Sequence, residues 1–389
     1  MTVSRLAERL ADGLADLQSR DLKRVRRVID SPQGARVREA GRTLANFSSN
    51  DYLGLANHPR LREAAHRAID ECGVGAGASP LVSGNLRAHH AAERRFAEFS
   101  GLARALLFGS GYAANLGILA ALADRDAQIF SDALNHACLI DGARLSRAKV
   151  SVYAHCDLDD LEKSLAASTA RVKLVATDAV FSMDGDIAPV PGLLALCEAH
   201  DAWLVLDDAH GMGVLGATGR GTLEHFGVRS PRIVYMATLG KALGGYGAFV
   251  AGEAATIEWL VQRARTYIYS TALPPMCAAV ATAALDLVED DPALVAALRS
   301  RIGEFASACA AAGIAVSPST TAIHPIVVGR AQRAIDAAAR LHERGFLVPA
   351  IRPPTVPDGT SRLRVSLSAA HTRADIEALV AALADSLAA

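Results

Sequence analysis

The chain has 389 residues, 51% of them hydrophobic, enough to bury a large core in a main domain plus a smaller one. A formal net charge of −1 leaves no broad basic field for nucleic acid. Six scattered cysteines (Cys72, Cys138, Cys156, Cys197, Cys277, Cys309), with no C-x-x-C pair, read as buried thiols of a reducing compartment rather than a disulfide frame or zinc site.

The opening stretch, "MTVSRLAERLADGLADLQSRDLKRVRR", has the spacing of an amphipathic helix that ends in a basic cluster. It lacks the apolar h-region of a signal peptide. The most apolar stretch, 102–123, is broken by Arg104, several glycines and Asn115, so no run is long enough to span a bilayer. A soluble cytoplasmic protein is expected. Then come the β-rich runs 104–108, 127–131, 149–154, 172–177, 202–207, 232–238 and 247–251, with helical patterns between most of them, for instance 137–147 and 190–201. Strand, helix, strand implies right-handed crossovers and an α/β fold with a mostly parallel sheet. The strands are apolar nearly throughout, as when helices cover both faces. After residue 255 the texture changes. A long alanine-rich helix is expected over 274–312, then a strand at 324–329, a helix at 331–344, a turn-rich segment, a strand at 362–368 and a last helix. The expected division is a helical arm (1–45), a large domain (46–285) and a small C-terminal α+β domain (286–389), with the boundary inside the long helix.

Five stretches carry chemistry. In "LLFGSGYAANLGIL" a strand ends at Phe108 and a helix starts near Ala113. The exposed N–H groups between them suit an anion, although such turns often serve only as connectors. Gly111 lets backbone approach a phosphate, and Tyr112 offers a flat face or a hydroxyl. In "SDALNHACLIDG", His136 near a helix start could stack on a heteroaromatic ring, or be a satisfied structural group. In "AWLVLDDAHGMG", Asp207 and His210 lie at the C-terminal end of an apolar strand, where open α/β sheets hold ligands. Asp207 shares a face with Trp203 and Val205. A carboxylate there can pair with the pyridinium nitrogen of pyridoxal phosphate, or simply cap the next element. Gly211, Gly213 and Gly216 match the dinucleotide spacing, but the polar Asp-Asp-Ala-His run interrupts the turn and no convincing helix follows. In "YMATLGKALGG", Lys241 follows a buried strand, framed by Gly240 and Gly244-Gly245. An apolar pocket there would lower its pKa and free the amine to form a Schiff base; a lysine snorkelling from a strand end is the alternative. A P-loop would need a glycine at 235 and Ser or Thr at 242, where the chain has Tyr235 and Ala242. In "IRPPTVPDGTSRLRVSLS", Arg362 and Arg364 share a strand face with Ser366, and a held guanidinium suits a carboxylate. A solvated basic face is the alternative, more so for Arg362.

Together these stretches resemble the α-oxoamine synthases, pyridoxal 5'-phosphate enzymes of the fold-type-I transferase architecture. The likeness runs from "NFSSNDYLGL" (46–55) to "RLRVSLSAAH" (362–371), through "FSMDGDIAP", "DDAHGMGVLG", "TLGKALGG" and "YSTALPP" in that order. It implies that Lys241 carries the cofactor, Asp207 pairs with its ring nitrogen and His136 stacks on its ring. It further implies that His210 and Ser182 serve the phenolic oxygen, and that Gly111, Tyr112 and Thr238 serve the phosphate. Ser270 and Thr271 would reach the phosphate of the neighbouring subunit, which makes the protein a homodimer with shared sites. Asn50, Arg352, Thr355 and Arg364 would line the substrate side, with Arg364 on the amino-acid carboxylate, and Arg24 of the basic run would meet the acyl donor. The implied reaction is a decarboxylative condensation of an amino acid with an acyl thioester. Ile351-Arg352-Pro353 before Pro354-Thr355 favours the branch that uses L-alanine and a pimeloyl thioester, on acyl carrier protein or coenzyme A, over the glycine-using 5-aminolevulinate synthases and glycine acetyltransferases. Pro80 and Asp178 depart from the family pattern, which often has Arg or His and Glu there. A nicotinamide dehydrogenase built on Gly211, Gly213 and Gly216 and an inactive carrier-binding protein are the competing readings.

Overall fold

A computed structural model describes residues 4–388. In chain order the strands begin with β1 (Arg36–Glu39) and β2 (Arg42–Asn46). The main run follows: β3 (Arg104–Phe108), β4 (Ala127–Asp132), β5 (Lys149–Tyr153), β6 (Val172–Asp178), β7 (Trp203–Asp207), β8 (Ile233–Thr238) and β9 (Ala248–Gly252). The C-terminal part adds β10 (Ile323–Gly329), β11 (Phe346–Leu347), β12 (Ala350–Ile351) and β13 (Ser361–Ser366). All seven runs read as strands in the middle of the sequence form β3 to β9.

Those seven make one sheet in the order β3-β9-β8-β7-β6-β4-β5. Strands β5, β4, β6, β7 and β8 are parallel, whereas β9 runs antiparallel to both β8 and β3. The exception has a simple cause: only residues 239–247 join β8 to β9. That is too few for a crossover, so the chain turns back. Alternation along the strands feeds two cores. Phe130, Leu204, Leu206 and Phe249 pack on one face. Ile129, Val205, Val234 and Val250 pack on the other, beneath helix Gly111–Leu122. Burial on both faces is why the inner strands are apolar nearly throughout, whereas edge strand β5 is largely exposed.

Two smaller three-stranded sheets, β1-β2-β11 and β10-β13-β12, complete the fold. The second contains both expected C-terminal strands, β10 and β13, with the unforeseen β12 beside them; the first was not foreseen. The single helix expected over 274–312 is two, Pro275–Asp290 and Pro292–Ala311. Pro292 disfavours helical backbone at the preceding residue, and Asp291 (φ −126°, ψ 82°) leaves the helix and caps the next one through Ala293 N–H. The N-terminal helix spans Arg5–Ser19, so the basic cluster at 23–27 follows it as extended chain; residues 1–3 lie outside the described part. All six cysteines are free, but only Cys138, Cys197 and Cys309 are buried; Cys72, Cys156 and Cys277 are half-buried. Among the described residues no helix is long and apolar enough to cross a membrane.

Candidate active site

Lys241 stands in the tight β8–β9 connection, above the C-terminal edge of the sheet. Leu239 closes that loop by donating to Gly247 O (2.9 Å) and accepting from Gly245 N–H (2.8 Å). Gly244 has φ +64°, and a Cβ there would stand 2.4 Å from Ala56 N. The loop 50–56 crosses at this point, so the glycine frame seen in the sequence answers to backbone contact. Lys241 Nζ lies 2.8 Å from His210 Nε2. Burial lowers the lysine pKa, against the opposing pull of Asp207 and Asp178.

A relay runs on from the lysine. His210 Nδ1 is 2.7 Å from the Tyr52 hydroxyl, which donates to Asn50 Oδ1 at 3.2 Å. Asn50 Oδ1 also accepts from both terminal nitrogens of Arg364, each at 3.3 Å. Burial, then Lys241 and Arg364, push the His210 pKa well below its ordinary value, so the ring is neutral. With Lys241 protonated, Nε2 accepts and Nδ1–H donates to Tyr52. Arg364 is further held by Ser182 O on Nε (2.6 Å) and by Ser366 Oγ (2.9 Å). Its side chain is buried, yet no carboxylate among the described residues pairs with it.

Opposite lies a buried anion. Asp207, at the end of β7, accepts from Asn115 Nδ2 (2.6 Å) and Ala209 N–H (2.9 Å). Neither donor is charged, and no cation among the described residues forms an ion pair with it. Asp178 ends the neighbouring β6 in register with Asp207. Burial and then Asp207 raise its pKa well above the usual carboxylate range, and it accepts His136 N–H at 2.6 Å. His136 caps helix Ala137–Ser146, with Nδ1 at 2.8 Å from Cys138 Sγ. Burial, reinforced by Asp207, pushes the Cys138 thiol up to about 12, so it stays protonated. On the other flank, Gly111 opens helix Gly111–Leu122 behind the Ser110 cap. A Cβ at Gly111 would meet Thr238 Cγ2 at 2.6 Å. The helix end and the last residue of β8 are thus pressed together, with Tyr112 exposed beside them and bonded to Asp141.

Lys241, His210, Asp207, His136, Gly111, Thr238, Asn50, Ser182 and Arg364 therefore gather on one sheet edge, with Tyr112 exposed at its rim, whereas the rest lie apart. Arg362 pairs with Asp184 and donates to Met183 O; it is buried, contrary to the solvated face expected of it, because β13 is covered on both sides. Arg352 bonds Asp21 O, and Thr355 is exposed with its N–H on Arg352 O. Ser270 and Thr271 are exposed, and no side-chain hydrogen bond among the described residues ties them to the cluster. Arg24 is exposed as well; it is Lys23 and Arg27 that line, with Arg352, a groove of about 730 Å³. Gly211 and Gly216 are packed against Asp208 and Glu224, and the helix after them, Thr222–Phe226, has five residues, so their spacing reflects a folded turn. Sequence reading missed Tyr52, Asn115 and Cys138. Each sat inside a quoted stretch, and Asn115 carried a signal: a lone amide in an apolar helix, four residues after Gly111, on the face turned to Asp207.

The description "Aminotransferase class I and II" fits residues 42–383. The architecture is shared with a serine palmitoyltransferase carrying a PLP internal aldimine (TM-score 0.93, 27% identity, 99% of this chain and 98% of that one). An 8-amino-7-oxononanoate synthase from Francisella tularensis superposes with TM-score 0.77 at 32% identity over 88% and 97% of the chains. Proteins called 8-amino-7-oxononanoate synthase are 53% identical in Methylococcus capsulatus (97% of this chain, 98% of that one) and 55% identical in Methylobacillus flagellatus (96% and 95%). The chain belongs to the class I and II aminotransferase family, and within it to the 8-amino-7-oxononanoate synthases.

Proposed function

We propose that this chain condenses L-alanine with a pimeloyl thioester, with loss of carbon dioxide, to give 8-amino-7-oxononanoate for biotin synthesis, and that pyridoxal phosphate is its cofactor. The observation that carries this is a pair of buried groups on either side of one lysine, neither with a salt-bridge partner among the described residues: the Asp207 carboxylate and the Arg364 guanidinium. Buried ions are normally paired, so each marks a place for a charge the protein itself does not supply. The residues fit the cofactor. Asp207 Oδ2 accepts from Asn115 and from the Cys138 thiol, whereas Oδ1 has Ala209 N–H alone and keeps a lone pair, as a ring N–H⁺ needs. Lys241 would hold the aldehyde carbon, His136 the ring face, Gly111, Tyr112 and Thr238 the phosphate, and Ser182 and His210 the phenolic side. The bound cofactor supplies an electron sink for the substrate's α-carbon.

The chain's own residues do the rest. Arg364 takes the alanine carboxylate in a forked grip by exchanging its long contacts to Asn50 (3.3 Å) and Tyr52 (3.4 Å), while Ser182 O and Ser366 Oγ keep it oriented. Lys241, with its pKa lowered by burial, accepts the α-proton and returns a proton to product. Neutral His210 holds the amine at hydrogen-bond distance and links it to Tyr52. The basic run at 23–27, with Arg24, Arg352 and Thr355, faces the acyl donor, which we assign to acyl carrier protein. Ser270 and Thr271 serve the partner's phosphate in a cytoplasmic homodimer. Product mass spectrometry tests this: alanine with pimeloyl thioester should give 8-amino-7-oxononanoate, with glycine and the succinyl or acetyl donors far slower. Preference for glycine would assign the chain to the glycine-using branch.

A further inference from the structure

Outside the cluster just described, His155 is clamped between two carboxylates. Its Nδ1 is 2.9 Å from Asp132 Oδ1 and its Nε2 is 2.8 Å from Asp186 Oδ2. Carboxylate oxygens only accept, so both ring nitrogens carry protons and the ring is a fixed imidazolium. Asp132 and then Asp186 push its pKa up to about 12. The arrangement leaves no ring lone pair for a metal, although Asp132, His155 and Cys156 lie close together.

The two carboxylates sit on different parts of the site. Asp132 ends β4 and accepts Leu134 N–H and Cys156 N–H, both at 2.8 Å, so it shapes the loop that leads to Asn135 and His136. Asp186 closes the turn Phe181–Asp186, where Phe181 N–H donates to Asp186 O (3.0 Å) and Gly185 N–H to Phe181 O (2.8 Å). The tip of that turn supplies Ser182 O to Arg364 Nε, and Met183 O and Asp184 to Arg362. The His155 ring also meets Phe181 edge-on at 4.3 Å. On its far side the turn is braced by Ser319 and Thr321 on Gly185 O. His155 braces the near side.

We propose that His155 is a positioning residue for amino-acid recognition: as a cation between Asp132 and Asp186 it sets the turn whose Ser182 carbonyl aims Arg364 at the substrate carboxylate. This rests on the assignment of Arg364 to that carboxylate. The test uses the holoenzyme and steady-state kinetics with L-alanine and pimeloyl thioester. His155→Gln and Asp186→Asn should each raise KM for alanine about tenfold, leave KM for the thioester within about twofold, and keep the visible spectrum of the bound cofactor. The double variant should be no worse than the worse single, because both break one link. If His155→Gln does not fold, Asp186→Asn, at the half-exposed end of the clamp, carries the same test. An unchanged alanine KM in folded variants, while Arg364→Ala raises it, overturns the role of His155. An unchanged alanine KM in Arg364→Ala overturns the assignment of Arg364 itself, and the role of His155 with it.

Discussion

Arg364 and Asp207 stand out because each is buried without a salt-bridge partner among the described residues. Removing either should therefore act on chemistry more than on folding. Arg364→Ala leaves a substrate carboxylate unpaired, worth about 3 kcal/mol, so KM for alanine should rise about 100-fold in steady-state assays. Arg364→Lys keeps the charge but loses the fork and should recover only part of the loss. Asp207→Asn keeps only one of the two acceptor oxygens that meet Asn115 Nδ2 and Ala209 N–H, and no longer favours a protonated ring nitrogen. Its kcat should fall about 10²- to 10³-fold, with KM for the thioester little changed. His371 shows the opposite use of a polar residue. It stacks on Phe47 at 4.0 Å, accepts Ser368 N–H at Nδ1 (3.0 Å) and donates from Nε2 to Asn46 O (3.1 Å). Both nitrogens are satisfied only in the neutral ring.

At the scale of elements, the β8–β9 turn-back decides where the lysine can be. The sequence pattern "TLGKALGG" gave its place, but the close crossing of residues 50–56 needed the fold. Gly244→Ala puts a methyl 2.4 Å from Ala56 N at a left-handed φ, and should lower stability by about 2 kcal/mol or more in urea unfolding, with loss of cofactor retention. The inner strand positions were legible because both faces of the sheet are buried there, which makes each an apolar run bounded by polar turns; β5, at the exposed edge, showed instead as a β-branched run. The antiparallel sense of β9 was legible only in the shortness of the 239–247 connection. Sheet β1-β2-β11 was hidden because its strands are two to five residues long and its third member comes about 300 residues after the others. The missed break at Asp291-Pro292 was in plain view; alanine bias concealed it. Among site residues, those at strand ends and glycine turns could be read from the sequence. Tyr52 and His155 could not, because each earns its place through partners far along the chain, whereas Asn115 showed only as a lone amide in an apolar helix.

Over the whole molecule, two kinds of histidine give stability opposite pH limbs. Burial depresses the His371 pKa to about 4, whereas the unfolded chain titrates near ~6.5. The unfolded state therefore binds the proton first as pH falls. The contribution is complete above ~6.5 and is lost toward pH 4, up to about 3 kcal/mol, and His371→Gln should flatten this acid limb in urea midpoints measured against pH. His155 works the other way: its raised pKa stabilises the fold fully below ~6.5, and that part declines as pH rises toward 12. The proposed sharing of sites between two subunits gives a further prediction. Lys241→Ala chains co-expressed with chains carrying Ser270→Ala and Thr271→Ala should regain about one quarter of wild-type activity, since half the dimers hold one intact site of two. No recovery above the two parents would place Ser270 and Thr271 outside the partner's site.

The most direct measurement is peptide mapping of the cofactor-loaded protein after borohydride reduction. The chain has five lysines, Lys23, Lys149, Lys163, Lys173 and Lys241, so the outcome is unambiguous. The reduced cofactor should appear on the peptide that contains Lys241 and vanish in Lys241→Ala, along with the visible absorbance. A stable adduct on any other lysine, or one that survives in Lys241→Ala, would contradict the placement of the chemistry between Asp207 and Arg364.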